Sequence, residues 1–308
     1  MMFEALRRQL AGVVAITVTP FTADDRVDEA ALAAITCRMV EAGISVVTPN
    51  GNTGEYYSLS AAERSTCLRV VKEAAGDAIL LAGVGGPLPS AIEAALEARD
   101  AGADAVMIHH PVQPYITADG WIEYHRAIAA AVPELGVVPY LKSRSITADA
   151  LRSLASAAPN FVGIKYALPD PVDFASIRSD ANIPGLVWIA GLAESYAASQ
   201  FAATAEGFTS GLANVVPEVS LNYLQALKRG DFSGALEQWQ DIRDFEDLRA
   251  RDNNALNVSA VKEALHQIGL CDRAVRAPIS TLEPADRERV SRMLASWNVD
   301  LASASALG

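Results

Sequence analysis

A chain of 308 residues that is 51% apolar and 20% charged has enough hydrophobic material for a large core and too little charge to stay disordered. The net charge of -12 is spread along the sequence, which disfavours nucleic acid and anionic membrane surfaces as partners and means that an anionic substrate needs a local basic pocket. Three cysteines (Cys37, Cys67, Cys271) lack metal-type spacing, no apolar segment follows the basic "ALRR" opening, and apolar runs fall short of the roughly 18 to 20 residues of a membrane helix, so the expectation is a reduced, cytoplasmic protein with no disulfide and no span.

In chain order, "VVAITV" (13–18) reads as a strand, and "DEAALAAITCRMVEAG" (28–43) as a helix with Asp28 as cap and Gly43 as stop. "ISVVTP" (44–49) is the second strand, and Ser60 with Glu63 three residues on forms a capping-box signal for a helix reaching Gly76. "AILLAGV", "ADAVMIHH", "GVVPYL", "FVGIKYA", "GLVWIAG" and "EGFTSGL" follow as strands, each separated by a helix-compatible stretch. Strands this continuously apolar fit a parallel sheet covered on both faces. Eight βα units predict an α/β fold, a (β/α)8 TIM barrel over residues 1–230, in preference to an open doubly wound sheet. Beyond "LKRGDFSGAL" the pattern turns wholly helical to about residue 270, with a further helix from Pro284 to about Trp297, so 231–308 reads as a C-terminal helical extension of the same domain.

Barrels carry their chemistry at the C-terminal ends of the strands. There, Lys165 ends an uncharged run, "FVGIK", and shares strand parity with Phe161 and Gly163, an arrangement that points it into the barrel mouth. Two readings of it stand. It is a strand-end lysine reaching back to solvent, or it is a desolvated amine whose pKa falls by about 3 units, roughly 4 kcal/mol, and which then attacks a ketone. The loop "PNGNTGEYYSLSAAER" (49–64) sets Asn52 and Thr53 between glycines, so it can offer amides and a hydroxyl to a carboxylate, or can be a turn chosen for geometry alone. Tyr140, ending the fifth strand, is either a proton carrier beside an imine or an aromatic filling the mouth. Adjacent His109 and His110 point to opposite faces with no carboxylate placed to join them, and "AGVGG" lacks phosphate-loop spacing.

Taken together and in this order, "GVVAITVTPF", "GNTGEYYSLSAAER", "AGVGG", the fifth-strand tyrosine, "VGIKYA" and "GFTSGLANVVPE" resemble the dihydrodipicolinate synthase / N-acetylneuraminate lyase family of class I aldolases over nearly the whole chain. The resemblance implies a homotetramer built as a dimer of dimers, using no metal and no organic cofactor, whose small-molecule substrate is pyruvate or a longer 2-keto acid. It implies that Lys165 forms the imine and Tyr140 shuttles the proton. It also implies that Asn52, Thr53 and Gly54 receive the substrate carboxylate. Gly191, Thr209 and Ser210, at the ends of the seventh and eighth strands, are further candidates for substrate binding, and Thr209, Ser210 and bound water are candidates to give a leaving hydroxyl its proton.

The sequence departs from the lysine-synthesis branch in three places. Val112 and Gln113 of "HHPVQPYITADGW" stand where that branch has a second tyrosine, and Tyr115 is displaced by about two residues. Asn52 replaces the threonine that relays protons between the two tyrosines. Counted back from Lys165 without a gap, the fifth-strand tyrosine falls at Pro139, whereas the start of the strand places it at Tyr140; Arg144, or Lys142, is the candidate for a distal carboxylate. "GEYYSLS" and "PNFVGIKYALPDP" look nearer the 5-dehydro-4-deoxyglucarate dehydratase branch. The expected activity is therefore a Schiff-base lyase acting on a 2-keto-3-deoxy sugar acid by dehydration or retro-aldol cleavage. Alternatives are dihydrodipicolinate synthase itself and a non-catalytic keto-acid-binding barrel.

Overall fold

The computed structural model describes residues 3–301. Eight strands, β1 (Val13–Ile16), β2 (Val46–Thr48), β3 (Ile79–Val84), β4 (Ala105–Ile108), β5 (Gly136–Leu141), β6 (Gly163–Tyr166), β7 (Val187–Ala190) and β8 (Gly207–Ser210), pair in parallel and in sequence order, and β8 returns to β1. The sheet is a closed barrel, as the strand count predicts. Its helices are α1 (Glu4–Leu10), α2 (Glu29–Glu41), α3 (Ala61–Ala74), α4 (Leu88–Asp100), α5 (Ala118–Ala131), α6 (Ala148–Ala157), α7 (Pro171–Ala181), α8 (Ala193–Ala202) and α9 (Pro217–Lys228). The expected caps form: Asp28 accepts from the Ala31 amide at 3.0 Å, and Ser60 and Glu63 make the reciprocal capping box of α3.

Two apolar layers follow from the strand period of two. Val14, Val46, Leu81, Met107, Val138, Val187 and Ile189 fill the barrel, closed at the N-terminal end by Leu6 and Leu10 of α1, a helix that strand periodicity did not reveal. Val13, Val47, Leu80, Val106, Val137 and Ile164 pack outward against the helices. Phe161 was expected to share Lys165's face. It lies in the outer layer instead, because the regular strand begins only at Gly163 and the parity changes just before it.

After the barrel come α10 (Phe232–Asn254), α11 (Asn257–Gln267) and α12 (Pro284–Ser296). The helical stretch expected to about residue 270 is present as two helices with a break between them. Arg251 leaves helical geometry, and Asp252, Asn253 and Asn254 take left-handed φ values of 52°, 60° and 68°. Asp and Asn tolerate that region best among residues with a side chain, and several such residues in a row mark a segment held by its surroundings. The break turns the chain across the C-terminal mouth of the barrel. Residues 302–308 of the expected extension lie outside the described residues.

Candidate active site

The loop after β2 is folded on itself by backbone bonds from Gly54 to Gly51 (3.0 Å) and from Glu55 to Asn52 (3.1 Å). The Thr19 hydroxyl donates to the Gly54 carbonyl at 2.8 Å. Glu55, at φ 57°, turns its carboxylate inward, where the fully buried Lys262 ammonium of α11 meets it. That ammonium also donates to the Ala274 carbonyl at 2.7 Å and lies 4.0 Å from the Phe21 ring centroid. The Arg276 amide donates to the other Glu55 oxygen at 3.0 Å, and Asn257 reaches the Thr53 hydroxyl at 3.4 Å. The helical extension thus anchors the loop from behind and leaves Asn52 and Thr53 on the cavity wall.

Lys165 comes from the end of β6 and is 5% exposed. The ladder pairs it with Tyr140 of β5, and its ammonium lies 4.2 Å from the Tyr140 ring centroid. Val138 and Tyr140 share the inner face, so the register selects Tyr140 and turns Pro139 outward, against Ile108. No carboxylate among the described residues lies within ion-pair distance of Lys165. Burial, reinforced by the Lys142 charge, brings its pKa down to about 7. Burial pushes the Tyr140 phenol up to about 12, against a hydrogen bond from the Asn52 side chain, so Tyr140 stays protonated at neutral pH. The Asn52 side-chain oxygen, Oδ1, is buried and without a partner among the described residues, a free acceptor on a residue that lines the cavity. Gly191 of the β7 end also lines the cavity. A Cβ there would stand 2.9 Å from the Lys165 Cγ and 2.6 Å from the Tyr166 carbonyl, so glycine is what lets the lysine stem pass.

The cavity measures about 790 Å³, with Ile16 and Thr209 among its barrel-side residues. Its far wall comes from the helical extension. Arg249 pairs with Glu246, both buried, and donates from Nε (3.0 Å) and a terminal nitrogen (2.8 Å) to the Asn257 side-chain oxygen. The guanidinium lies against Gly211, where a Cβ would come within 2.4 Å of it. Asn253 and Asn254 of the break line the mouth beside Ser195 and Tyr196. None of these wall residues was expected from the sequence, where only the "DNN" run interrupting a helical pattern signals the break that carries Asn253 and Asn254.

Six of the expected residues therefore line one cavity: Lys165, Tyr140, Asn52, Thr53, Gly191 and Thr209. Gly54 is one step behind, its carbonyl held by Thr19. The structure separates two others from the set. The Ser210 hydroxyl is fully buried behind the wall, donating to Glu194 at 2.7 Å, because it faces α8 rather than the barrel mouth. Arg144 is drawn to Asp170 at 2.6 Å and Asp173 at 3.8 Å near the start of α7, where two carboxylates outcompete the cavity. Tyr115 is 92% exposed and does not line the cavity. His109 is buried and neutral, its pKa lowered to about 4 by burial, with its Nε2 on the Asn50 carbonyl at 2.8 Å. Among the described residues, no group of three or more His, Cys, Asp or Glu side chains is placed to hold a metal, and no helix is long and apolar enough to cross a membrane.

Fold and cavity together define a class: a (β/α)8 barrel with a desolvated lysine amine at its catalytic end. Residues 9–296 match the model of the dihydrodipicolinate synthetase family. The chain is 33% identical over 288 residues to a 4-hydroxy-tetrahydrodipicolinate synthase of Phenylobacterium zucineum, covering 91% of this chain and 94% of that one. It is 30% identical to a 5-dehydro-4-deoxyglucarate dehydratase of Pseudomonas putida, over 82% of this chain and 84% of that one. The crystal structure of dihydrodipicolinate synthase from Bacillus clausii superposes with a TM-score of 0.91 at 37% identity, covering 96% of this chain and all of that one, 100%. The protein belongs to the dihydrodipicolinate synthetase family and is an enzyme of its lyase type.

Proposed function

We propose that the protein forms a Schiff base between Lys165 and a 2-keto acid and uses it for dehydration or retro-aldol cleavage of a 2-keto-3-deoxy sugar acid. The observation that carries this reading is a buried amine with no counter-ion, poised near neutrality and set against the protonated Tyr140. The neutral amine attacks the C2 carbonyl and water leaves, giving a protonated imine, which withdraws electrons from C3. Removal of a C3 proton then yields an enamine that expels the C4 hydroxyl, which takes up a proton and leaves as water, and hydrolysis of the resulting imine frees the product and returns the Lys165 amine. Alternatively, Tyr140 relays the C4 hydroxyl proton while the C3–C4 bond breaks, releasing an aldehyde and the enamine of pyruvate. Asn52, Thr53 and the amides of their loop receive the C1 carboxylate. No metal or organic cofactor takes part in these steps.

Incubation with pyruvate and a panel of 2-keto-3-deoxy sugar acids, followed by borohydride and peptide mass mapping, tests the reading. The expected result is a reduced adduct on Lys165 and product from at least one sugar acid. Absence of an adduct on Lys165 with every keto acid overturns it, and an adduct without product favours a keto-acid-binding barrel. The relatives named as synthases favour a second reading, condensation of pyruvate with aspartate semialdehyde. Against it stand Val112 and Gln113 at the second-tyrosine position and the exposure of Tyr115. A coupled assay with both substrates decides between them. We also propose a cytoplasmic homotetramer, for which sedimentation velocity should return four times the chain mass.

A further inference from the structure

The wall supplied by the helical extension also decides where one proton sits in the loop after β2. Asn257 carries an amide whose two ends are chemically opposite, an oxygen that accepts and an NH2 group that donates. Its Oδ1 accepts twice from Arg249, from Nε at 3.0 Å and from a terminal nitrogen at 2.8 Å. A guanidinium has donors and no acceptor, so Asn257 cannot turn over without setting its own N–H groups against those of Arg249. Arg249 is held in its turn. Its other terminal nitrogen meets the buried Glu246 carboxylate, and the guanidinium packs against Gly211 where no side chain intervenes.

The donor end of Asn257 is therefore aimed at the Thr53 hydroxyl, 3.4 Å away. That bond is long, and what it contributes is direction rather than strength. A hydroxyl has a single hydrogen, and with Asn257 donating to the oxygen the Thr53 hydrogen has no acceptor among the described residues. Thr53 lines the cavity, so that hydrogen is left for a ligand. Neighbouring hydroxyls differ. Thr19 spends its hydrogen on the Gly54 carbonyl at 2.8 Å, Thr209 on the Ala190 carbonyl at 3.5 Å, and Ser210 on Glu194 at 2.7 Å. Were the Asn257 amide reversed, its oxygen would take the Thr53 hydrogen, and the hydroxyl would present only lone pairs to an arriving carboxylate.

Building on the Schiff-base reading, we propose that Arg249 and Asn257 are positioning residues that make the Thr53 hydroxyl a dedicated donor to the substrate C1 carboxylate, and so bias the site towards 2-keto acids over ketones that lack the carboxylate. Glu246 fixes Arg249, Arg249 fixes the amide of Asn257, and Asn257 fixes the hydroxyl. The helical extension thereby sets selectivity at a loop of the barrel without touching the substrate itself.

Two ketones of similar size isolate the carboxylate: pyruvate, which has it, and hydroxyacetone, which lacks it. The readout is the concentration of each that half-saturates borohydride-trapped adduct on Lys165, taken as a ratio, in which any change in the basicity of Lys165 cancels. Wild type should trap pyruvate at about tenfold lower concentration or better, T53V should lose about tenfold of that preference, and T53S should keep it. N257A and R249K should each cost about threefold, the second because a lysine keeps a cation beside Glu246 but cannot grip Oδ1 with two donors. Adding N257A to T53V should change the ratio no further, since no hydroxyl remains to be oriented. A wild-type ratio near one, or a ratio unchanged in both N257A and R249K, overturns the assignment. So does a further fall when N257A is added to T53V, because Asn257 would then act through the shape of the loop. Continued trapping of hydroxyacetone reports that the pocket is assembled; should N257A lose it, R249K carries the decision, and an unchanged ratio there overturns the assignment. Failure of pyruvate to form any adduct on Lys165 in wild type is a separate result, which overturns the Schiff-base reading along with it.

Discussion

Lys165 and Lys262 are both buried lysines, one at the end of β6 in the barrel mouth and one on α11 behind the loop after β2. Lys262 meets the buried Glu55 carboxylate and a backbone carbonyl, so its charge is matched and its hydrogen-bonding capacity is used. Lys165 meets an aromatic ring and no carboxylate, and its neighbour of like sign, Lys142, pushes its basicity further down. Burial alone does not make a lysine reactive. A compensated buried lysine acts as a fastener, whereas an uncompensated one carries a destabilisation that a carbonyl compound can relieve by consuming the amine.

The sharpest test of this contrast is to exchange each lysine for methionine. K165M should abolish turnover, by at least ~10⁴-fold in kcat, while the fold survives. It should also stabilise the protein. The folded-state pKa of Lys165, about 7, lies below the ordinary lysine value of 10.5, so the destabilisation is fully present below pH 7, on the order of 5 kcal/mol, and is relieved as pH climbs from 7 towards 10.5. Urea denaturation of wild type and K165M at pH 6 and pH 9.5 should show a gap that narrows at the higher pH. A K165M protein less stable than wild type at pH 6 would contradict the absence of a counter-ion.

K262M should do the reverse, destabilising by about 3 to 5 kcal/mol because Glu55 is left buried and unpaired. The double variant K262M/E55Q should recover part of that loss, and an additive double-mutant cycle would deny the pairing. Y140F should lower kcat by about 10²-fold through loss of the proton carrier, with Lys165 still trappable by borohydride. Imine formation should fall about tenfold per pH unit below pH 7, as the amine is protonated, and level off above it. The smallest effect is expected from T53A, below about 1 kcal/mol in stability, since the bond it removes, from the Asn257 side chain to the Thr53 hydroxyl, is long at 3.4 Å.

The barrel was readable in the sequence because strands buried on both faces leave continuous apolar runs, and β1 to β8 each fall on one of them. Lys165 was readable because a charge that ends such a run has few places to go. The choice between Pro139 and Tyr140 needed the β5–β6 register, which no single strand contains. Arg144 and Ser210 look like site residues in sequence, but Asp170, Asp173 and Glu194 capture them in space. Arg249, Asn257 and Lys262 left no local signal at all, since their significance lies in contacts such as the one joining Lys262 to Glu55 across 207 residues.

That last separation bears on how the molecule is made. At 5 to 20 residues per second, about ten to forty seconds pass between the addition of Glu55 and the addition of Lys262 to the growing chain. For the last 97 residues of that interval, from position 165 to position 262, Lys165 is already synthesised while the loop opposite it lacks its fastener, and for most of that stretch the cavity also lacks the wall supplied by Arg249 and Asn257. A nascent or prematurely terminated chain therefore carries the amine without the enclosure that gives it selectivity, and the tail end of translation is the step that assembles the site.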